Sequence, residues 1–229
     1  MAGYAGGADV DFLDYGQGAK RLLLSDEIIN ALAANHWASG VDGIYVFNWQ
    51  CKTWEGNRLN LDNLGDPLRV EYRDKLYPLT RRDGQYAYCD LQVGPLPAQL
   101  SAEPLVAAMR VADNLSEAGA RLEGCQLWVH LVNMAIKDSI EVKMNGHALE
   151  CSNPLEPGTV HVPVWLRYEL APEQVRPGYN ELSMRVISRD LPAALQQLAP
   201  IEVADVELEI RYRFPNGKGC EPRGYRPRT

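Results

Sequence analysis

The chain has 229 residues, 46% hydrophobic and 23% charged, the balance of a folded globular protein with room for one large domain or two ordinary ones. Its net charge of -7 excludes nucleic acid as the main partner, because phosphate binding needs a basic footprint. No apolar run is long enough for a bilayer, and the five cysteines show neither zinc-ligand nor CxxC spacing, so no membrane, metal or cofactor is expected.

Residues 1–24 are Gly-rich and acidic, carrying Asp9, Asp11 and Asp14, and read as a flexible segment. They lack a basic stretch followed by an apolar one, so no signal peptide is expected; a soluble, cytoplasmic protein follows if the chain is complete. Ser25 then has the chemistry of a helix N-cap, with Asp26 and Glu27 in the first turn where the helix dipole favours carboxylates. Ile28, Ile29, Leu32, Ala33 and His36 keep a helical stripe, and Gly40 ends it. The apolar run Ile44-Tyr45-Val46-Phe47 suits a strand covered on both faces. Asp66 followed by Pro67 is a helix start, and the pattern predicts a helix through Leu68, Val70, Tyr72 and Leu76. Residues 25–82 thus read as one partial α/β unit, and one such unit cannot close a sheet. A complete barrel of eight units needs roughly 250 residues.

From Ala87 the hydrophobic period becomes two. Leu105, Ala107, Met109 and Val111 form one dry face; Ile140, Val142 and Met144 form another, ending at the hairpin dipeptide Asn145-Gly146. Cys125 to Met134 is more evenly apolar and reads as a central strand. Val160 to Leu170, Leu182 to Val186 and Val206 to Tyr212 alternate in the same way, with the Arg176-Pro177-Gly178 turn before the second of these. Strands with one wet and one dry face must bury the dry faces together. The expected fold is therefore mainly β: an antiparallel sandwich over 86–214, preceded by the partial α/β segment. The last residues, 215–229, read as a basic, disordered tail carrying Lys218, Arg223, Arg226 and Arg228.

Several short motifs stand in a suggestive order: Gly40-Val41-Asp42-Gly43, Tyr45-Val46-Phe47-Asn48, Gly65-Asp66-Pro67 and Asp74-Lys75-Leu76-Tyr77. In this order they resemble the last strand and helix of the (β/α)₈ barrel in bacterial glycoside-hydrolase-like proteins. The later pieces (Asn145-Gly146, the Val160–Leu170 strand, Pro177-Gly178-Tyr179-Asn180 and the closing Val203–Tyr212 strand) resemble the galactose-binding-like jelly roll. The first resemblance implies that Asn48, Trp49, Gln50, Trp54 and Glu55 would face a substrate cleft at the carboxyl end of a barrel strand. An aromatic ring there would stack on a sugar while the amides bond its hydroxyls. The alternative is that Trp49 and Trp54 pack the loop against the sandwich. The second resemblance implies a sugar site in loops at one end of the sandwich, for which Asn145, His147, Trp165 and Arg167 are the candidates. Trp165 would otherwise cover an edge or touch the barrel segment.

Glycoside hydrolysis needs two carboxylates at a set separation. Glu55 is a single one on a loop, Asp62 reads as a turn residue and Glu71 as a solvated helix face. The acid and nucleophile of such proteins are expected on earlier strands. No Gly-x-Ser-x-Gly motif is present, and His130 and His161 read as structural strand residues. No catalytic residue is assigned. The sequence predicts the non-catalytic carboxyl-terminal portion of a glycoside-hydrolase-like, carbohydrate-active protein with an accessory sandwich. The alternative is a free-standing carbohydrate-binding or protein-interaction module. Expected partners are carbohydrate and, through residues 25–77, either a second copy or the missing barrel portion.

Overall fold

A computed structural model describes residues 2–5, 26–47, 64–79, 95–154, 164–190, 192 and 196–213. The expectations for Asn48, Trp49, Gln50, Trp54, Glu55 and Asp62, and for the tail, lie outside the described residues.

The first pieces are β1 (Ala2–Ala5), α1 (Asp26–Trp37), β2 (Ile44–Phe47), α2 (Pro67–Val70) and β3 (Lys75–Pro78). The α1 helix ends as its sequence indicates. Its last turn closes with Gly40 N–H donating to the Trp37 carbonyl, and Gly40 has φ +77°, a conformation a side chain would strain. Asp66 caps α2, its carboxylate accepting from the Leu68 N–H at 2.9 Å. Two expectations are corrected here. The helix predicted from Asp66 to Leu76 is a single turn, after which the chain becomes a strand. Residues 1–24 are not wholly without structure, because β1 pairs in parallel with β2, Tyr4 opposite Val46.

The remaining strands are β4 (Ala98–Gln99), β5 (Leu105–Val111), β6 (Leu122–Val132), β7 (Ser139–Met144), β8 (His147–Ala148), β9 (Val164–Glu169), β10 (Gly178–Ser188) and β11 (Glu202–Tyr212). A short helix, α3 (Leu115–Ala118), follows β5. Among the described residues they make a four-stranded sheet, β5-β10-β7-β8, and a five-stranded one, β3-β11-β6-β9 with β4 also on β11. Every pairing in both sheets is antiparallel. The protein is a mainly β sandwich, and among the described residues the strands form no closed barrel.

The alternating residues do what their period predicts. Met109, Val111, Leu127, Val129, Leu131, Val142, Met144, Leu166, Leu182, Met184, Val206, Leu208 and Ile210 fill one core between the sheets. The Asn145-Gly146 dipeptide turns β7 into β8 with both φ values positive, the backbone a tight hairpin demands. Lys75 pairs with Ile210 and Tyr77 with Leu208, so β3 is a true member of the five-stranded sheet. A second, smaller core lies under α1, built from Ile28, Ile29, Ala33, Ala34, Leu64, Val70 and Leu76. Leu76 points to this core while Lys75 and Tyr77, one residue away on each side, point to the sandwich interior. No helix among the described residues is long and apolar enough to cross a membrane.

Candidate functional site

Where β3, the end of β5 and the end of β11 meet, four polar side chains are buried together. The Lys75 ammonium donates to the Asp113 carboxylate at 2.8 Å, and its other hydrogens go to the carbonyls of Glu71 (2.8 Å) and Arg73 (3.2 Å). The Tyr212 hydroxyl donates to the same Asp113 oxygen at 2.6 Å, and the Tyr77 hydroxyl donates to the other. Lys75 and Asp113 are almost wholly shielded from solvent, so each needs the other's charge. Burial lowers the Lys75 pKa and the neighbouring carboxylate opposes that shift. Burial, then the Asp113 charge, pushes both phenols well above their ordinary range.

Three of these four side chains, Lys75, Asp113 and Tyr212, form the floor of an open cavity of about 350 Å³. Its walls come from the small residues Ala34 and Ala38 with Trp37 on α1, from Pro67, Val70, Glu71 and Tyr72, and from Asn114 and Glu117 at the start of α3. The Trp37 indole is held by its N–H, which donates to the Leu64 carbonyl at 3.1 Å. Tyr72 meets Tyr212 edge to face with centroids 5.6 Å apart, and the Arg121 guanidinium lies 4.3 Å from the Tyr72 ring centre. Aromatic and polar groups therefore converge on a concavity of ligand size. The floor is chemically closed. All three Lys75 hydrogens are donated, and each Asp113 oxygen accepts at least one hydrogen bond.

The sandwich residues singled out from sequence separate into two places. Asn145 is committed to the fold: both amide hydrogens are donated, to the Gln174 carbonyl (2.8 Å) and to Asn180 Oδ1 (2.7 Å), and its oxygen accepts from the Glu181 N–H. His147 is exposed on the short β8 beside it. Trp165 and Arg167 instead lie on the outer face of the five-stranded sheet, across the core from that hairpin. There they join rows that run over three strands: Asp205-His130-Trp165, Glu207-Trp128-Arg167 and Glu209-Gln126-Glu169. The His130 ring stacks on Trp165 at 4.6 Å, and its Nδ1 is 3.0 Å from the Asp205 carboxylate. Trp128 donates its indole N–H to Glu209 at 3.0 Å. Asn153 fixes the edge strand, donating to the Trp165 carbonyl and accepting from the Arg167 N–H. His130, Asp205 and Glu207 are buried, whereas Trp128, Trp165 and Arg167 are half-buried.

The sequence reading missed the cavity because it treated Glu71 to Leu76 as a helix. The signal was present in Lys75-Leu76-Tyr77: at a spacing of two, a lysine and a tyrosine share one face of a strand. Asp113 gave no such signal, since it is one carboxylate beyond an alternating run. Among the described residues no cluster of His, Cys, Asp or Glu is arranged to hold a metal ion.

No family model matches this chain, and no curated protein matches it. Among solved structures it is similar to BpGH86A, a β-porphyranase of glycoside hydrolase family 86 from the human gut bacterium Bacteroides plebeius. The likeness has a TM-score of 0.39 at 11% identity, and it covers 62% of this chain and 21% of that one.

Proposed function

We propose that this chain is the non-catalytic, sugar-binding portion of a glycoside-hydrolase-like protein, and that its sandwich is a galactose-binding-like jelly roll. The cavity above Lys75 and Asp113 is the sugar site. One observation carries the reading: a concavity of about 350 Å³ combines the aromatic rings of Trp37 and Tyr72 with polar side chains, over a floor whose own polar atoms are fully paired. A sugar needs an aromatic surface for its C–H face and nearby polar groups for its hydroxyls. Trp37 is the platform and Asn114 a hydroxyl partner. The saturated floor supports binding without chemistry, and the motif order over residues 25–80 supports the glycoside-hydrolase relationship. A second reading places the glycan on the outer sheet face, where Trp128, Trp165 and Arg167 stand in adjacent rows.

Titration calorimetry of the chain against neutral gluco- and galacto-oligosaccharides tests both readings. The cavity reading expects binding that Trp37→Ala weakens roughly tenfold, the effect of losing one stacking surface worth about 1.4 kcal/mol. Trp165→Ala should leave it within about twofold. The reverse pattern moves the site to the outer face, and no binding to any saccharide removes the sugar-binding reading. In parallel, aryl glycosides should not turn over above background. Turnover that disappears in Glu55→Gln would overturn the non-catalytic assignment.

A further inference from the structure

The cavity's charge balance points to a narrower ligand class. Its lining holds three carboxylates, Glu71, Asp113 and Glu117, against one ammonium, Lys75. The buried pair of Lys75 and Asp113 cancels within the floor. Glu71 and Glu117 remain, both exposed at the walls, and among the described residues neither carboxylate has a hydrogen bond or an ion pair. Glu71 lines the cavity beside Lys75, whose ammonium donates to the Glu71 carbonyl at 2.8 Å. Arg121 is the opposing charge nearby, but its guanidinium is held over the Tyr72 ring and is not part of the lining. The lining thus carries more carboxylates than cations, and aromatic walls add attraction for a cation.

We infer that the site selects a cationic amino sugar, one with a free ammonium in place of a hydroxyl, and discriminates against uronic and sulfated sugars. The inference rests on the sugar-binding reading above and deepens it. A free ammonium would sit between Glu71 and Glu117 while the ring rests on Trp37. N-acetylation removes the charge and with it the advantage. A carboxylate or sulfate at the same position meets two like charges, and the one cation of the lining, Lys75, is already paired with Asp113.

Isothermal titration at low salt, using glucosamine, galactosamine, their N-acetylated forms, glucose, galactose and the two uronates, decides the matter. Cyclohexylamine serves as an amine without a sugar ring. The amino sugars should bind roughly tenfold more tightly than the neutral sugars, the worth of two partly screened ion pairs. That ratio should shrink in high salt. In Glu71→Gln combined with Glu117→Gln it should fall to within about twofold. Both positions are exposed, so the fold is expected to survive, and an unchanged melting curve checks this. Equal affinity for amino and neutral sugars, or tighter uronate binding, overturns the inference and leaves the sugar-binding reading standing. Binding of cyclohexylamine with no sugar bound overturns the sugar reading, and the inference about amino sugars falls with it. A tenfold preference that survives the double substitution also overturns the inference, because the carboxylates would then not be its cause.

Discussion

The core between the two sheets is closed by side chains from eight strands, nearly all of them aliphatic. The smaller core under α1 draws on only seven buried side chains, two of them alanines. That area is too small to hold a helix and two short strands on its own. The segment 26–79 keeps its place by lending β3 to the sandwich and by the Lys75–Asp113–Tyr77–Tyr212 knot. A second tie comes from Asp74, which accepts the Tyr212 N–H at 2.8 Å, and a third from Asn35, which donates to the Arg110 carbonyl at 3.0 Å. One region is thus stabilised by hydrophobic area, the other by polar contacts that lock it to its neighbour. The cavity exists because the two regions are joined there, its walls and its floor both drawing on side chains from each.

The largest expected effect follows from cutting that junction. A chain beginning at Tyr86 keeps β4 to β11 but loses β3, and with it Lys75 and Tyr77. Asp113 is then a buried carboxylate without its cation, and β11 has an unpaired edge. Breaking a buried pair costs about 3–5 kcal/mol. The melting temperature should fall by at least about 10 °C relative to the full chain. Equal melting temperatures would mean that the sandwich does not depend on β3, and the distinction between the two regions would have to be redrawn.

A smaller effect, spread over both regions, should appear at alkaline pH. Burial raises the pKa of the Cys125 thiol and of the Tyr77, Tyr168 and Tyr212 phenols. In the unfolded chain the thiol ionises near 9.0 and the phenols near 10.0, the values from which these shifts are measured. Above those values the unfolded state holds fewer protons than the folded state, so stability must fall. Lys75 acts in the opposite sense. Its pKa is lowered, so its contribution grows as pH rises towards 10.5. Four groups outweigh one. Urea midpoints should decline from about pH 9 and more steeply above about pH 10. Each group contributes up to about 1.4 kcal/mol per pH unit. Tyr77→Phe should lower stability at pH 7 by about 1 kcal/mol, for the lost hydrogen bond, yet flatten the alkaline decline. A midpoint that stays level to pH 11, or a decline equally steep in Tyr77→Phe, would show that these groups are not shielded as described.

The two regions were also unequally legible in the sequence. The sandwich could be read because alternation is a local signal repeated strand after strand. Met109, Val142, Met144, Leu182 and Leu208 all fall on the buried side that their spacing predicts. The Asn145-Gly146 hairpin was legible from two residues, whereas the use of Asn145 was not. Its partners Gln174, Asn180 and Glu181 are about 30 residues away, and only the folded chain brings them together. The segment after Asp66 failed for the opposite reason. Its start signal is correct, but a four-residue helix carries no periodicity to show where it stops, and the strand identity of Lys75 to Pro78 is conferred by β11. Tyr72 reads as part of a helical pattern, and nothing local says that Asn114 and Glu117, about 40 residues later, complete the same wall.

The smallest expected effect on stability concerns β2, and it tests whether the amino-terminal region has a further partner. The sequence predicts for Ile44–Phe47 a strand buried on both faces. Among the described residues β2 has one parallel neighbour, β1, in a two-stranded sheet. Parallel sheets are ordinarily covered on both faces and seldom stop at two strands. Tyr45, on this strand, is exposed. We propose that this pair is where a second copy, or the rest of a barrel, adds strands. An edge with unpaired backbone groups is a template for such pairing, and a lysine on it is the common way that proteins block it. Val46→Lys should therefore reduce self-association in sedimentation equilibrium while shifting the main melting transition by no more than about 2 °C, because the sandwich does not depend on this strand. If the unmodified chain is a monomer at every concentration, the second-copy form is excluded, and supplying the preceding barrel units as a separate polypeptide tests the other. Association in that mixture with normal affinity for Val46→Lys would place the joint elsewhere. A large loss of sandwich stability in Val46→Lys would mean instead that β1 and β2 share the main core, and the contrast between the two regions would end there.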